Sequence, residues 1–168
     1  MSIVLRLLRA VFVTRASART KAAAGLAAVL LTSTTLVLAS PAQAAPCDDG
    51  AGVTVVVDFA ALGGGITVAC APGDPDTGID ALQSAGFTPT GTQRYGLAFV
   101  CRINNLPPPA VEPCTNTPPV TAYWSYWYAT PGGSWTSSPV GPLSHDPAPG
   151  AVEGWAFGAG GAPSISPP

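Results

Sequence analysis

Five short stretches of this chain carry β-type hydrophobic patterns and one carries a helical pattern. "VTVVVDF" (Val53–Phe59) is a β-branched run, and "ITVAC" (Ile66–Cys70) follows it across the turn "ALGGG" (Ala61–Gly65). The two read as a hairpin. In "TGIDALQSAGF", Ile79, Leu82 and Ala85 recur on one helical face. Asp76 or Thr77 supplies an N-cap, Thr77 to Asp80 resembles a capping box with Asp in the Glu position, and Gly86 suits a helix stop. This predicts a short helix over 77–85. "GLAFVCRI" (Gly96–Ile103), "AYWSYWYA" (Ala122–Ala129) and "VEGWAFG" (Val152–Gly158) read as further strands. Between them lie a loop over 105–119 with six prolines and a long loop over 130–150, in which Trp135 marks a short strand at most. Two strands, one helix, then more strands is an α+β order. It predicts a small β-grasp-like domain, a mixed sheet of about five strands packed on one short helix.

The strand "YWSYWY" (Tyr123–Tyr128) has aromatic residues on both faces. Alternation places Tyr123, Ser125 and Trp127 on one side and Trp124, Tyr126 and Tyr128 on the other. With one helix to cover one sheet face, two outcomes satisfy the pattern. Either the second aromatic set stays open as a platform, or the 130–150 loop and the last strand bury it as core, with Trp135, Trp155 or Phe157 packed there. On the open reading Trp124, Tyr126, Tyr128, Trp135 and Trp155 are the candidate ligand-binding residues, because Tyr and Trp pair an apolar body with a polar tip.

Composition divides the chain. Residues 1–44 hold Arg6, Arg9, Arg15, Arg19 and Lys21, then the apolar stretch Ala22–Ser40, then Ala42 and Ala44 at signal-peptidase spacing. This predicts a signal peptide cut after Ala44, with an uncleaved anchor as the alternative, and hence a secreted, extracellular product with no stable membrane span after cleavage. A single domain over 45–157 and a disordered tail over 158–168 follow. Beyond Ala44 only Arg94 and Arg102 face nine acids, a formal charge of −7. Binding nucleic acid needs clustered Lys and Arg, so that partner is excluded. Glycine and proline, 19 of each, would suit disorder, but the β-branched runs and aromatics supply enough apolar surface to fold.

Four cysteines in a short exported chain read as two disulfides. Of the three pairings, Cys47–Cys70 and Cys101–Cys114 are favoured, because each ties neighbouring segments. No C-x-x-C is present and the single histidine stands far from every cysteine in sequence, which argues against a metal site. Asp74, Asp76 and Asp80 lack the closing glutamate of a calcium loop, and capping accounts for Asp76 and Asp80. His145, followed by Asp146 in "PLSHDPAPG", reads as a solvated loop residue. No nucleophile and base stand in a recognisable pattern, so no catalytic residue, no cofactor and no enzymatic activity are predicted.

The opening strand "VTVVVDF", the helix "TGIDALQSAGF", the segment "CRINN" and the strand "YWSYWY", in that order, resemble the transcobalamin-like C-terminal domain family. The likeness covers about Val53 to Phe157 and is similar to a secreted bacterial subgroup without assigned activity. "TPGG" (Thr130–Gly133) stands where that family has an Asn-Gly turn. The resemblance implies a β-grasp-like domain, cobalamin as ligand, and Trp124, Tyr126 and Tyr128 as the ligand-facing rings. The sequence therefore predicts a secreted, monomeric, non-catalytic binding module for a corrinoid or other small ring compound. A cell-wall carbohydrate adhesion module and a structural or protein-interaction domain are the alternatives.

Overall fold

The apolar run at the start of the domain becomes the middle of a sheet. The computed structural model describes residues 45–168. The signal segment over 1–44, and the secretory route it predicts, lie outside the described residues. In chain order the elements are β1 (Gly52–Asp58), β2 (Ile66–Pro72), α1 (Gly78–Ser84), β3 (Pro89–Thr92), β4 (Gly96–Ile103), β5 (Tyr123–Ala129), β6 (Thr136–Ser137) and β7 (Val152–Gly158). β1 is buried along its whole length, which is why it reads as nearly continuous valine. It pairs antiparallel with β2, Val55 opposite Ala69, and parallel with β7, Val55 opposite Glu153. β7 pairs antiparallel with β5, and β5 with the two-residue β6. The result is a mixed five-stranded sheet in the order β2-β1-β7-β5-β6. The domain is α+β, and nothing in this order conflicts with a β-grasp-like arrangement.

Local chemistry sets the boundaries. After β1 the chain makes one 3₁₀ turn, Ala60–Leu62, rather than a plain hairpin turn. Asp58 Oδ1 accepts from the Ala60 N–H at 2.9 Å, and Gly63 takes the positive φ that ends the turn. α1 starts at Thr77, an N-cap whose Oγ1 accepts from the Asp80 N–H at 3.1 Å and donates to Asp80 Oδ2 at 2.6 Å; Asp80 thus meets the Thr77 hydroxyl and not its backbone N–H as in a full capping box. The helix buries Ile79, Ala81 and Leu82 against the sheet.

β3 and β4 form a separate two-stranded sheet. The sequence predicts β4 but not β3, since "PTGT" has no apolar alternation to read. Cys101–Cys114 ties β4 to the proline-rich loop, and Cys47–Cys70 ties the start of the domain to β2, the favoured pairings. No helix among the described residues is long and apolar enough to cross a membrane.

Each face of the large sheet is covered. On the helix side, Val53, Val55 and Val57 pack with Ile79, Leu82, Phe59, Phe87, Trp124, Tyr126 and Trp155. On the other side, Val56, Ala129 and Val152 pack beneath Ile66, Val68, Trp135 and Ile165. This second layer corrects the expectation of a disordered tail over 158–168. Ser164 donates from its backbone N–H and its hydroxyl to Asp58 Oδ2, at 2.8 and 2.6 Å. Trp135 Nε1–H donates to Ile165 O at 2.7 Å, and Gly132 N–H donates to Pro167 O at 2.9 Å. Pro163 and Pro167 are buried. Tail composition suggests disorder, but its partners come from distant positions that local reading does not bring together.

Candidate functional site

The alternation of β5 holds, and of the two outcomes the pattern leaves open for Trp124 and Tyr126 the structure takes the buried one. Trp124 and Tyr126 are 4% and 9% exposed, so the open-platform reading is corrected for them and the core reading holds. Trp124 meets Phe59 and Phe157 edge-on, with centroids 5.2 and 5.5 Å apart, and its Nε1–H donates to Leu106 O at 3.1 Å. Tyr126 lies 4.7 Å from the ring of Trp155, which is itself buried. Tyr128 is half-buried against His145. Trp135 lies over Gly154, where an added Cβ would come within 2.6 Å of its ring. Trp124, Tyr126 and Trp155 are therefore core residues, and Trp135 is a clamp on the tail. The physical reason is the helix, which covers the face these rings share with Val55 and Val57.

A cleft remains at the edge of β5. β6 pairs only with Trp127 and Tyr128, and Ser138 N–H reaches Tyr126 O at 3.1 Å. The next residue, Pro139, has no N–H with which to extend the ladder. β4 lies beside the unpaired half of β5, in a different sheet. Between them is a cavity of about 260 Å³. Ala98, Phe99 and Val100 form one wall, Tyr123 to Tyr126 the other, and Ser137, Ser138 and Val140 to Pro142 border it. Trp124, Tyr126 and Trp155 line it too, so three predicted ligand residues meet at one cavity while packed as core. A second cavity of about 270 Å³ adjoins, lined by Phe99, Thr117, Pro118, Val120 and Tyr123. The rings of Phe99 and Tyr123, 6.5 Å apart, belong to both. No charged residue lines either one.

A polar cluster is buried behind this cleft. Glu153 projects from β7 on the helix side and is 0% exposed. Its Oε1 lies 3.2 Å from His145 Nε2. The start of α1 closes over it. A Cβ on Gly78 would fall 2.1 Å from the Tyr126 hydroxyl and 3.1 Å from Glu153 Oε2, so only glycine leaves room there. Burial raises the Glu153 carboxyl to about 7, against the neighbouring Tyr126 hydroxyl, which pulls it down. Burial, together with the Glu153 charge, pushes the Tyr126 phenol far above its ordinary range. Burial holds His145 below its ordinary value, against the Asp146 charge, which raises it.

His145 is thus half-buried and partnered, where the sequence predicts a solvated loop residue. It lines a cavity of about 350 Å³ with Tyr128, Thr130, Ser134, Thr136 and Asp146. An imidazole backed by a buried carboxylate can take or give a proton near neutrality. The signal for this pair was a glutamate inside the apolar strand "VEGWAFG", on the same face as Trp155. Cys101, Glu112 and Cys114 also lie close together, but both sulfurs are spent in the disulfide and Glu112 Oε1 accepts from the Cys114 N–H at 2.7 Å.

No family model, curated protein or solved structure matches the chain.

Proposed function

We propose that this domain is a non-catalytic binding module for a small, uncharged ring compound, held in the cleft between β4 and β5. The observation that carries the reading is the uncharged double cavity centred on the Phe99–Tyr123 ring pair. Two half-buried rings at this separation offer an apolar slot, and the Ser137 hydroxyl at its border can orient a ligand oxygen, while Ser138 Oγ donates to Val140 O at 2.8 Å. Pockets for drug-sized ligands run to about 300–1,000 Å³. A cavity of about 260 Å³ favours a single ring over a corrinoid. The transcobalamin-like resemblance supports a binding role without catalysis, and the two disulfides support an oxidising, secreted setting.

The test is a titration followed by amide chemical shifts, with indole, phenol, N-acetylglucosamine and cobalamin as probes. The expected result is saturable shifts at Phe99, Tyr123 and Val140 with at least one single-ring probe. Phe99→Ala should weaken that binding about tenfold, as loss of one aromatic wall costs about 1–1.5 kcal/mol. Absence of saturable shifts with all four probes overturns the reading. Saturation by cobalamin alone returns the ligand to the corrinoid class.

A further inference from the structure

The loop that borders the cleft is also the loop that carries His145. Residues 138–150 dock on the start of α1 through two backbone bonds. Gly78 N–H donates to His145 O at 3.0 Å, and Ile79 N–H donates to Pro142 O at 3.3 Å. Pro142, Gly141 and Val140 of the same loop line the cleft. Tyr126 spans the two places: it lines the cleft, and its hydroxyl lies at Glu153 and Gly78. The side-chain approach of the loop to the sheet in this region is His145 Nε2, 3.2 Å from Glu153 Oε1.

We propose that His145 and Glu153 form a proton-sensitive latch, which holds the 138–150 loop closed on the cleft when the pair carries one proton. The groups facing the pair are few. β5 presents Tyr126 and Tyr128, whose rings lie 5.7 and 4.9 Å from the His145 ring. β7 presents Glu153 itself and its neighbour Trp155, the loop presents Asp146, and α1 presents Gly78, which has no side chain. Among these His145 is the single group able to carry positive charge, so it alone can balance a Glu153 anion.

The proton count decides the strength of the latch. With one proton, either the carboxylic acid donates to a neutral Nε2 or an imidazolium donates to a carboxylate, and both forms join the pair. With two, an imidazolium N–H faces a neutral acid in a buried place, and its charge has lost its counter-ion. With none, a fully buried carboxylate faces a neutral ring, and its charge is uncompensated. The raised Glu153 and lowered His145 place the single-proton state between the lowered His145 value and about 7. The effect on a ligand rests on the cleft being the binding site; the latch itself does not.

The test is amide hydrogen exchange in the ligand-free protein between about pH 5 and 8.5, corrected for intrinsic rates. Protection at Gly78 and Ile79 should be greatest on the acid side of about 7, where the pair holds one proton, and fall as pH rises through about 7 and as it drops through the lowered His145 value. Glu153→Gln should abolish the alkaline fall, and His145→Gln the acid fall. A flat profile, profiles unchanged in both variants, or an equal fall at the core amides of β1 overturns the latch. A parallel titration with indole separates the two claims. Peaked protection without indole binding leaves the latch standing and removes the cleft as a site for that probe. Indole binding that ignores pH while protection peaks overturns the coupling between them.

Discussion

Glu153 shows how one residue sets a pH window for the whole fold. It is fully buried, and its carboxyl is raised from 4.5 to about 7. A raised folded value contributes stability that is complete below the unfolded value of 4.5. That contribution is lost as pH rises through about 7. The full loss is of order 3 kcal/mol, since a tenfold change in proton affinity corresponds to about 1.4 kcal/mol. Glu153→Gln keeps the shape and removes the ionisation, so its melting temperature should no longer fall between about pH 5 and 8.5. Thermal melts of both proteins across that range check this; parallel curves refute it. His145 acts in the opposite sense. Its lowered value gives stability that is present above its ordinary 6.5 and lost as pH falls through its folded value. Neither effect is visible from composition, because both arise from burial between α1, β5 and β7.

At the scale of elements, legibility followed the strength of the local pattern. β1 and β4 carry β-branched or aliphatic runs, and α1 carries its own cap, so these elements are readable where they stand. β3 is four residues of proline, threonine and glycine, and β6 is two residues long; each is a strand only because a partner supplies the ladder. The β3–β4 sheet packs on the rest through few elements, and the Cys101–Cys114 link ties it to the proline-rich loop across 13 residues. Replacing both cysteines with serine should cost about 3 kcal/mol, on the chain-entropy account of a loop this size. Urea unfolding reads this as a lower midpoint with a similar slope. An unchanged midpoint shows that the proline loop holds itself without the bond.

At the scale of the whole molecule, the C-terminal segment is a layer of the structure. It covers the sheet face opposite the helix and links β1, the loop after β5 and the chain end. Burial alone would raise Asp58, but the bonds from Ser164 and Ala60 outweigh it and hold its carboxyl below the ordinary value. A lowered folded value gives stability that is present above about 3.8 and lost as pH falls through the folded value, so this anchor weakens in acid. Deleting residues 159–168 removes two hydrogen bonds to a carboxylate and exposes Trp135. The expected cost is about 3 kcal/mol, given about 1.5–3 kcal/mol for each bond to a charged group. A lower melting temperature and a red-shifted tryptophan emission are the readouts; a truncated protein that melts like the full one refutes the role.

Sequence alone determined the fold class, the helix with its cap, five of the strands and the division of β5 into two aromatic faces. These features depend on short-range periodicity, capping and side-chain alternation, which are properties of neighbouring residues. It also favoured the disulfide pairing, since short spans are the cheapest to close. Only the tertiary structure decided which aromatic face would be buried, because that depends on where α1 and the tail come to lie. It alone brought Asp58 to Ser164 across 106 positions. It also brought Glu153 to His145, and Phe99 to Tyr123 at the cleft. Each of these pairs joins residues from different elements, and no local pattern encodes where such elements meet.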